Sequence, residues 1–168
     1  MDHNHPKIPI LEYSYITDGI YIGTNQCCVM GLADVLKKEN ITADISLEED
    51  RLDAPFGVDI YVWIPVVDQM APTQDQLSFG AESIQKLVTQ GRKVYVHCRN
   101  GHGRAPTFVS AYLIQKGYKP KEAIDLIASK RSSVHLHKIQ EEALEKYYEN
   151  LTNRDFGRLS QTKRPLPK

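Results

Sequence analysis

The chain has 168 residues, which is enough for one ordinary domain with its own hydrophobic core. Hydrophobic residues make up 41% and charged residues 25%, a balance typical of a folded globular protein rather than a disordered chain. Because 21 Lys and Arg residues balance 21 Asp and Glu residues, the overall charge gives no indication of a polyanionic partner.

The number and spacing of the cysteines indicate the cellular compartment of the protein. Cys27, Cys28 and Cys98 cannot all pair within one chain, and adjacent cysteines rarely bridge each other, so the disulfide framework of a secreted protein is not expected. The N-terminus lacks the basic start and apolar segment of a secretory signal, and no apolar run is long enough to span a bilayer. The sequence therefore predicts a cytoplasmic protein with no membrane span.

The first half of the chain predicts short elements separated by turns. Residues 1–10 contain two prolines and little apolar pattern, which indicates a flexible lead-in. Ile16 and Ile20–Ile22 predict two short strands around the turn at Thr17–Gly19. Periodicity further predicts a helix over Cys27–Lys38, with Cys27 and Cys28 in the core, and strands over Ile41–Leu47 and Val58–Ile64.

The second half contains the clearest helix signals. Thr73 and Gln76 have the spacing of a capping box, and apolar residues follow at helical period until Gly91. Val94–His97 predicts a short buried strand, which a glycine-containing loop follows directly. Three helices are predicted after this loop: one with Pro106 in its first turn, one opened by Pro120, and one with the apolar face Ile139–Leu151.

These elements predict an α/β fold in a domain that extends over residues 11–153, with the helices concentrated late in the chain. Residues 154–168 have an excess of basic residues and contain Pro165 and Pro167. This composition predicts a flexible, solvated tail, with an anionic docking patch as the alternative.

The loop His97–Arg104 reads His-Cys-Arg-Asn-Gly-His-Gly-Arg and lies between a predicted strand and a predicted helix. In such a loop, backbone N–H groups and the positive end of the helix converge on an anion. Cys98 in this field is expected to ionise to a nucleophilic thiolate, and Arg104 has a planar fork that can hold two phosphate oxygens. The pattern indicates attack by Cys98 on a phosphate ester; an inert buried cysteine beside a solvated arginine is the alternative.

The loop resembles the His-Cys-x5-Arg signature of protein tyrosine phosphatases, and its late position in the chain resembles their small dual-specificity branch. The resemblance extends over about Tyr15–Leu151 and includes the segments Asp18–Gly23 and Ile64–Asp68. It implies a dual-specificity phosphatase-like single domain, with a central, mostly parallel twisted sheet flanked by helices. It also implies a phosphocysteine intermediate and no cofactor.

The resemblance further implies a proton donor, an aspartate on a mobile loop about thirty residues before the cysteine. Asp68 has this separation from Cys98 and follows the predicted strand Val58–Ile64, whose end could bring it to the phosphate. Asp75 is the alternative. Its place in the first turn of the helix after Thr73 explains it as a favourable partner of the helix dipole.

Other residues of the loop receive supporting roles. By resemblance, His97 lies beneath the loop and orients its backbone. The histidines at 135 and 137 have no cysteine or carboxylate cluster nearby, so no metal site is predicted. The predicted substrate-binding residues are Arg99, Asn100, Gly101, His102, Gly103 and Arg104, with solvated side chains as the alternative for Arg99, Asn100 and His102.

The leading interpretation is hydrolysis of phosphotyrosine in proteins, with phosphoserine and phosphothreonine as further substrates. The alternatives are a non-protein phosphate (a phosphoinositide, another phospholipid or an RNA 5′ end) and a phosphate-binding regulator with slow turnover. The chain departs from the family pattern at Ala105, where most members have Ser or Thr. By resemblance, the missing hydroxyl would slow breakdown of the phosphocysteine intermediate.

Overall fold

A five-stranded sheet forms the centre of the structure. The computed structural model describes the backbone of residues 9–161 and the side chains of residues 9–153. The strands are β1 (Tyr13–Thr17), β2 (Ile20–Gly23), β3 (Ile41–Ser46), β4 (Ile60–Trp63) and β5 (Lys93–His97). The helices are α1 (Asp34–Lys38), α2 (Gln74–Thr89), α3 (Arg104–Gln115), α4 (Pro120–Lys130) and α5 (Lys138–Gln161), and a 3₁₀ turn covers Asn25–Cys28.

The strand order is β1-β2-β5-β3-β4, and only the β1–β2 pair is antiparallel. Asp18 and Gly19, both with positive φ, form the tight turn of this hairpin. The prediction of a mostly parallel sheet is confirmed. Since β3 and β5 run in the same direction side by side, the segments that follow Ser46 and His97 leave the sheet at one edge, where the ligand sites of such sheets lie.

The two faces of the sheet bury different sets of side chains. Val94 and Val96 of β5 point into the main core with α2 to α5, whereas Tyr95 points into a second core that includes Leu36 of α1. Because side chains alternate along a strand, His97 lies on the same face as Tyr95. This second face therefore extends beneath the start of the loop that follows β5.

Local sequence signals set several element ends where they were predicted. The Thr73 hydroxyl accepts a hydrogen bond from Gln76 N–H, and Oε1 of Gln76 accepts one from Thr73 N–H, which is the predicted capping box of α2. Pro120 occupies the first turn of α4. In α3, Phe108 is fully buried, and its burial contributes about 1.5–3 kcal/mol to the free energy of folding.

The predicted helix over Cys27–Lys38 is wrong. The segment divides into the 3₁₀ turn and the short helix α1, because Gly31 adopts a φ of 111° that no helix allows. Cys27 and Cys28 are core residues as predicted, but the expectation that adjacent cysteines would not pair is also wrong. Their sulfur atoms form a disulfide inside the 3₁₀ turn.

Two element ends differ from the prediction. β4 covers only Ile60–Trp63 because it is the edge strand and its side chains are only partly buried. Helix α5 continues past residue 153 to Gln161, since no proline interrupts this stretch. Residues 1–8 of the predicted lead-in (1–10) and residues 162–168 of the predicted tail lie outside the described residues. Between residues 9 and 161, no helix is long and apolar enough to cross a membrane.

Candidate active site

The loop between β5 and α3 is held from outside through its carbonyl oxygens. In a trans peptide the N–H and C=O groups point in opposite directions, so outward carbonyls turn the amides that follow them toward the inside of the loop. Together with the N-terminus of α3, these amides form an anion cradle. Five consecutive carbonyl oxygens, those of residues 99 to 103, accept hydrogen bonds. The Arg99 carbonyl accepts from Asn25 N–H, and the Asn100 and Gly101 carbonyls accept from the Arg131 side chain. The His102 carbonyl accepts from His135 N–H, and the Gly103 carbonyl accepts from Thr107 N–H.

Both glycines of the loop fill positions that a side chain would obstruct. Gly101 has a φ of 67°, and a Cβ there would lie 2.6 Å from the carbonyl oxygen of Gly23. A Cβ on Gly103 would lie 2.9 Å from Oε1 of Gln140. The neighbouring elements therefore approach the loop closely enough to fix its path.

Arg131, at the end of α4, is the main side-chain support of the loop. Its guanidinium donates from Nε to the Gly101 carbonyl at 3.1 Å and from Nη2 to the Asn100 carbonyl at 3.0 Å. Nη1 lies 3.2 Å from Oε1 of Glu12, and the arginine is 2% exposed. The sequence analysis did not identify this residue, and only its charge at the helix end could have suggested it.

Arg104 is buried at the first position of α3 with its charge surrounded by acceptors. Nη1 donates to Glu49 Oε2 at 2.6 Å and to the carbonyl of Val66 at 2.9 Å. Nη2 lies 3.0 Å from Asp68 Oδ1. Nε has no hydrogen-bond partner among the residues whose side chains are described. Nε and Nη2 therefore form one edge of the guanidinium, and a phosphate could bind to this edge in place of Asp68.

The electrostatic environment keeps Arg104 positively charged. Burial disfavours the charged guanidinium, but the negative groups of Cys98, Asp68, Glu49 and Glu48 outweigh it and raise the pKa of Arg104. The same acidic groups must be displaced or neutralised when a phosphate binds, because like charges repel at this distance.

Asp68 reaches the loop on a β-turn that Met70 N–H closes onto the carbonyl of Val67. Two side chains anchor this turn. Glu49 accepts a hydrogen bond from the Asp68 N–H at 3.0 Å, and Gln140 donates to the carbonyl of Met70 at 3.0 Å. Glu49 therefore holds Asp68 and Arg104 at the same time. Its own pKa is lowered: burial opposes the shift, but the Asp68 amide and Arg104 outweigh it.

The two candidate proton donors lie in different places. The structure brings Asp68 to Arg104 and leaves its side chain 53% exposed, so solvent and a leaving group can both reach it. Asp75 is an exposed residue in the first turn of α2. This arrangement favours Asp68 over Asp75 on proximity.

His97 lies directly behind the loop and is fully buried. Its Nε2 atom is 3.4 Å from Asp44 Oδ1 and 3.4 Å from Asp53 Oδ2. Burial disfavours a charged imidazole, but Asp44, Asp53 and Glu48 outweigh it and raise the pKa of His97. His97 also accepts a hydrogen bond from Leu47 N–H through its carbonyl, which ties the end of β5 to β3.

The remaining predicted residues lie around the mouth of the loop. Cys98 is 3% exposed at its start, and Arg99 is exposed beside a pocket that Asn25 and Arg51 also line. The ring of His102 is 5.2 Å from that of His135, centroid to centroid. The loop thus presents basic and neutral polar side chains around the anion cradle.

Ala105 follows Arg104 in α3 and is fully buried. The nearest hydroxyl in sequence, that of Thr107, donates to the carbonyl of Gly103 at 2.8 Å. This bond directs the Thr107 hydroxyl back along the helix, so it does not replace the hydroxyl that Ala105 lacks.

The fold and the loop define an α/β domain in which a cysteine begins the loop between a central parallel strand and a helix. The family model "Dual specificity phosphatase, catalytic domain" matches residues 20–150 of this chain, and the chain therefore belongs to that family.

Curated relatives match part of the chain. The human "Phosphatidylglycerophosphatase and protein-tyrosine phosphatase 1" is 39% identical over 84 residues, which cover 49% of this chain and 42% of the relative. Human "Dual specificity protein phosphatase 5" is 40% identical over 76 residues, which cover 44% of this chain and 20% of the relative. The matched regions thus span less than half the length of either relative.

Solved structures match nearly the whole fold. The crystal structure of PTPMT1 in complex with PI(5)P has a TM-score of 0.73 and 27% identity, covering 85% of this chain and 98% of that one. Human DUSP28 has a TM-score of 0.76 at 17% identity, covering 84% of this chain and 99% of that one, and so supports the fold alone.

Proposed function

We propose that this protein is a phosphatase that hydrolyses phosphate monoesters through a phosphocysteine intermediate. One observation carries the proposal: Arg104 joins the loop that begins at Cys98 to the carboxylate of Asp68, 3.0 Å from its Nη2. This contact supports a site in which a nucleophile, an anion cradle and a proton donor act together, as acid-assisted displacement requires.

In the first step, the Cys98 thiolate attacks phosphorus while the ester P–O bond breaks. The leaving oxygen takes the proton of Asp68, and the inward amides and Arg104 stabilise the charge on the transferring phosphoryl oxygens. For this to happen, the carboxyl group of Asp68 must leave Nη2 of Arg104, so that a phosphate oxygen can take its place. Substrate binding and delivery of the proton donor are therefore one movement.

In the second step, the Asp68 carboxylate takes a proton from a water molecule whose oxygen attacks phosphorus. The S–P bond breaks, inorganic phosphate leaves, and Cys98 returns to the thiolate. Because the cycle needs a reduced Cys98, we place the protein in a reducing compartment such as the cytoplasm, as the sequence predicts.

The favoured substrate is a phosphate monoester on a phospholipid head group. The name of the human relative begins with phosphatidylglycerophosphatase, and the PTPMT1 structure contains a phosphoinositide. In this chain, Val67 and Met70 flank Asp68 with 59% and 52% of their surface exposed. Apolar side chains beside the proton donor suit a substrate that lies at a lipid surface.

Phosphotyrosine in proteins is the second candidate. The same human relative is also named a protein-tyrosine phosphatase, and dual specificity protein phosphatase 5 matches the chain at similar identity. An exposed mouth with Arg99 suits an anionic peptide as well as a head group.

A substrate panel separates the two candidates. Phosphate release is measured with phosphatidylglycerophosphate and phosphoinositides in detergent micelles, with phosphotyrosine and phosphoserine peptides, and with RNA 5′ ends. We expect kcat/KM for one of the lipids to exceed that for the best peptide at least ~10-fold, a difference of about 1.4 kcal/mol. Equal or better turnover of phosphotyrosine peptides would replace the lipid assignment with the second candidate.

Replacing Asp68 with Asn is expected to lower kcat about 10²- to 10³-fold, because the amide has no proton to give to the leaving oxygen. The loss should be much smaller with an aryl phosphate whose leaving group departs as a stable anion. Asp75→Asn is the matched control, since it makes the same change on the exposed first turn of α2. If Asp75→Asn had the larger effect, the general acid would be wrongly assigned.

Replacing Ala105 with Ser is expected to raise steady-state turnover several-fold. A hydroxyl at this position could donate to the sulfur of Cys98 and stabilise it as a leaving group when the phosphocysteine breaks down. The unaltered protein should accordingly show a burst of alcohol release followed by a slower rate in stopped-flow measurements. A linear time course and no gain from the added hydroxyl would mean that hydrolysis of the intermediate is not limiting.

A further inference from the structure

Beneath the loop, on the face of the sheet that carries Tyr95, four metal-binding side chains meet. They are Cys27 and Cys28 of the 3₁₀ turn, Asp44 of β3 and His97 of β5. One donor atom from each lies within 4.8 Å of all the others, and all four residues are fully buried. The proposed hydrolysis uses none of these sulfur or carboxylate atoms.

Two of the donor atoms lack hydrogen-bond partners. Asp44 Oδ1 and His97 Nε2 are 3.4 Å apart, yet neither makes a hydrogen bond with any part of the chain whose side chains are described. Buried polar groups are almost always satisfied, and a buried carboxylate oxygen without a hydrogen bond is especially unfavourable. The pair therefore indicates a ligand that lies between them.

The charges point to a cation. Asp53, the other carboxylate near His97, has Arg51 at 2.8 Å and the Tyr61 hydroxyl at 3.4 Å. Asp44 has only His97 as a basic side chain within 4.0 Å among the described residues, and Nε2 of His97 is equally close to Asp53. A divalent cation would neutralise the Asp44 carboxylate. Without a metal, Asp44 and Asp53 would have to share one proton on Nε2 of His97.

The state of the two sulfurs decides whether they can be ligands. They form a disulfide in this structure, and Cys28 Sγ lies 3.1 Å from Asp44 Oδ2. A disulfide sulfur has no proton to donate, so this contact is a hydrogen bond only in the reduced protein. A dithiol or phosphine reductant supplies the two electrons that, with two protons, convert the disulfide to two thiols.

We propose that the reduced protein binds one Zn²⁺ through Cys27 Sγ, Cys28 Sγ, Asp44 Oδ1 and His97 Nε2, with release of the two thiol protons and, from a charged imidazole, of the proton on Nε2. Thiolate, imidazole and carboxylate are the zinc ligands of proteins, and four of them close a tetrahedral structural site. In such a site, N and O ligands at about 2.05 Å from the metal lie roughly 3.3 Å apart. The observed 3.4 Å between His97 Nε2 and Asp44 Oδ1 matches this separation.

The site would join the 3₁₀ turn, β3 and β5 directly behind the catalytic loop, because His97 precedes Cys98. It departs from the sequence-based expectation that no metal binds. That expectation considered local spacing, whereas the four ligands come from three separate parts of the chain. The site has no open position for substrate, so the zinc would support the loop without taking part in the reaction.

The test uses the full chain with Cys98→Ser, so that the nucleophile cannot bind metal, and with His3→Gln and His5→Gln to remove the terminal histidines. The protein is reduced with a phosphine, stripped of metal and titrated with Zn²⁺ or Co²⁺. We expect one tightly bound zinc per chain after gel filtration and a rise in Tm. The cobalt form should show the visible bands of a tetrahedral site and a thiolate-to-cobalt charge-transfer band.

Cys27→Ser, Cys28→Ser and Asp44→Asn, each in this background, should weaken zinc binding at least ~100-fold, whereas His135→Gln should not change it. Circular dichroism checks that each variant is folded. If a variant does not fold, the stoichiometry and cobalt spectrum of the parent chain decide. Substoichiometric zinc, the absence of a thiolate band, or equal binding by folded Asp44→Asn and its parent would overturn the proposal.

Discussion

Cys98→Ser is expected to abolish phosphate release, with a loss of at least ~10⁴-fold in kcat. The anion cradle that favours a thiolate is not sufficient to ionise an alcohol, and a phosphoserine would not break down as a phosphocysteine does. Serine has the same shape as cysteine and is smaller, so it fits the buried position of Cys98 without a clash and the fold should be retained. Turnover is measured as inorganic phosphate released, and folding as Tm.

The matched measurement is the binding of inorganic phosphate to the same variant. The amides that follow the outward carbonyls of the loop do not depend on the sulfur, and neither does Arg104. Phosphate should therefore bind Cys98→Ser within a few-fold of the parent affinity. Turnover close to that of the parent would exclude the cysteine mechanism, whereas lost phosphate binding with an unchanged Tm would mean that the sulfur shapes the cradle.

The parts of the structure that the sequence predicts depend on neighbouring residues. The capping box at Thr73 and Gln76 and the proline that begins α4 both act within a few positions of themselves. The loop from Cys98 to Arg104 is of the same kind, since its strand, glycines and helix follow one another along the chain. Such features are visible without knowledge of the tertiary structure.

The support of the loop comes from distant residues and could not be found in this way. Arg131 binds carbonyls 30 and 31 positions earlier, and Glu49 binds Arg104 across 55 positions. One signal was available for Glu49: it follows β3, whose end lies beside that of β5 in a parallel sheet. For Gln140, which anchors the turn of Asp68, the sequence offers no comparable signal.

The errors of sequence interpretation have the same cause. Apolar residues between Cys27 and Lys38 fit a helical period, but Gly31 bends the backbone away and the segment packs as two pieces. The cysteine pair was assigned to the core on periodicity alone, and burial confirms that assignment. Their proximity to Asp44 and His97 follows from the alternation of side chains on β3 and β5, which periodicity in the 3₁₀ segment does not reveal.

Arg104→Lys is expected to lower kcat/KM at least ~10³-fold although the charge is kept. Arg104 uses Nη1 for Glu49 and the Val66 carbonyl, whereas Nη2 contacts Asp68 and Nε has no partner among the residues whose side chains are described, so the proposed phosphate would bind at the Nε–Nη2 edge. A single ammonium group cannot bind the Glu49 carboxylate and two phosphate oxygens at the same time. Steady-state kinetics with an aryl phosphate measures the loss without a contribution from leaving-group protonation.

Arg99→Lys is the matched control, because Arg99 belongs to the same loop but is exposed. It should change kcat/KM no more than a few-fold, since an exposed cation attracts an anion by charge rather than by geometry. The comparison isolates the planar fork from the net charge of the loop, which both variants preserve. If Arg104→Lys kept more than about a tenth of the parent activity, a point charge would suffice, and the amides of the loop would have to carry most of the stabilisation of the transferring phosphoryl group.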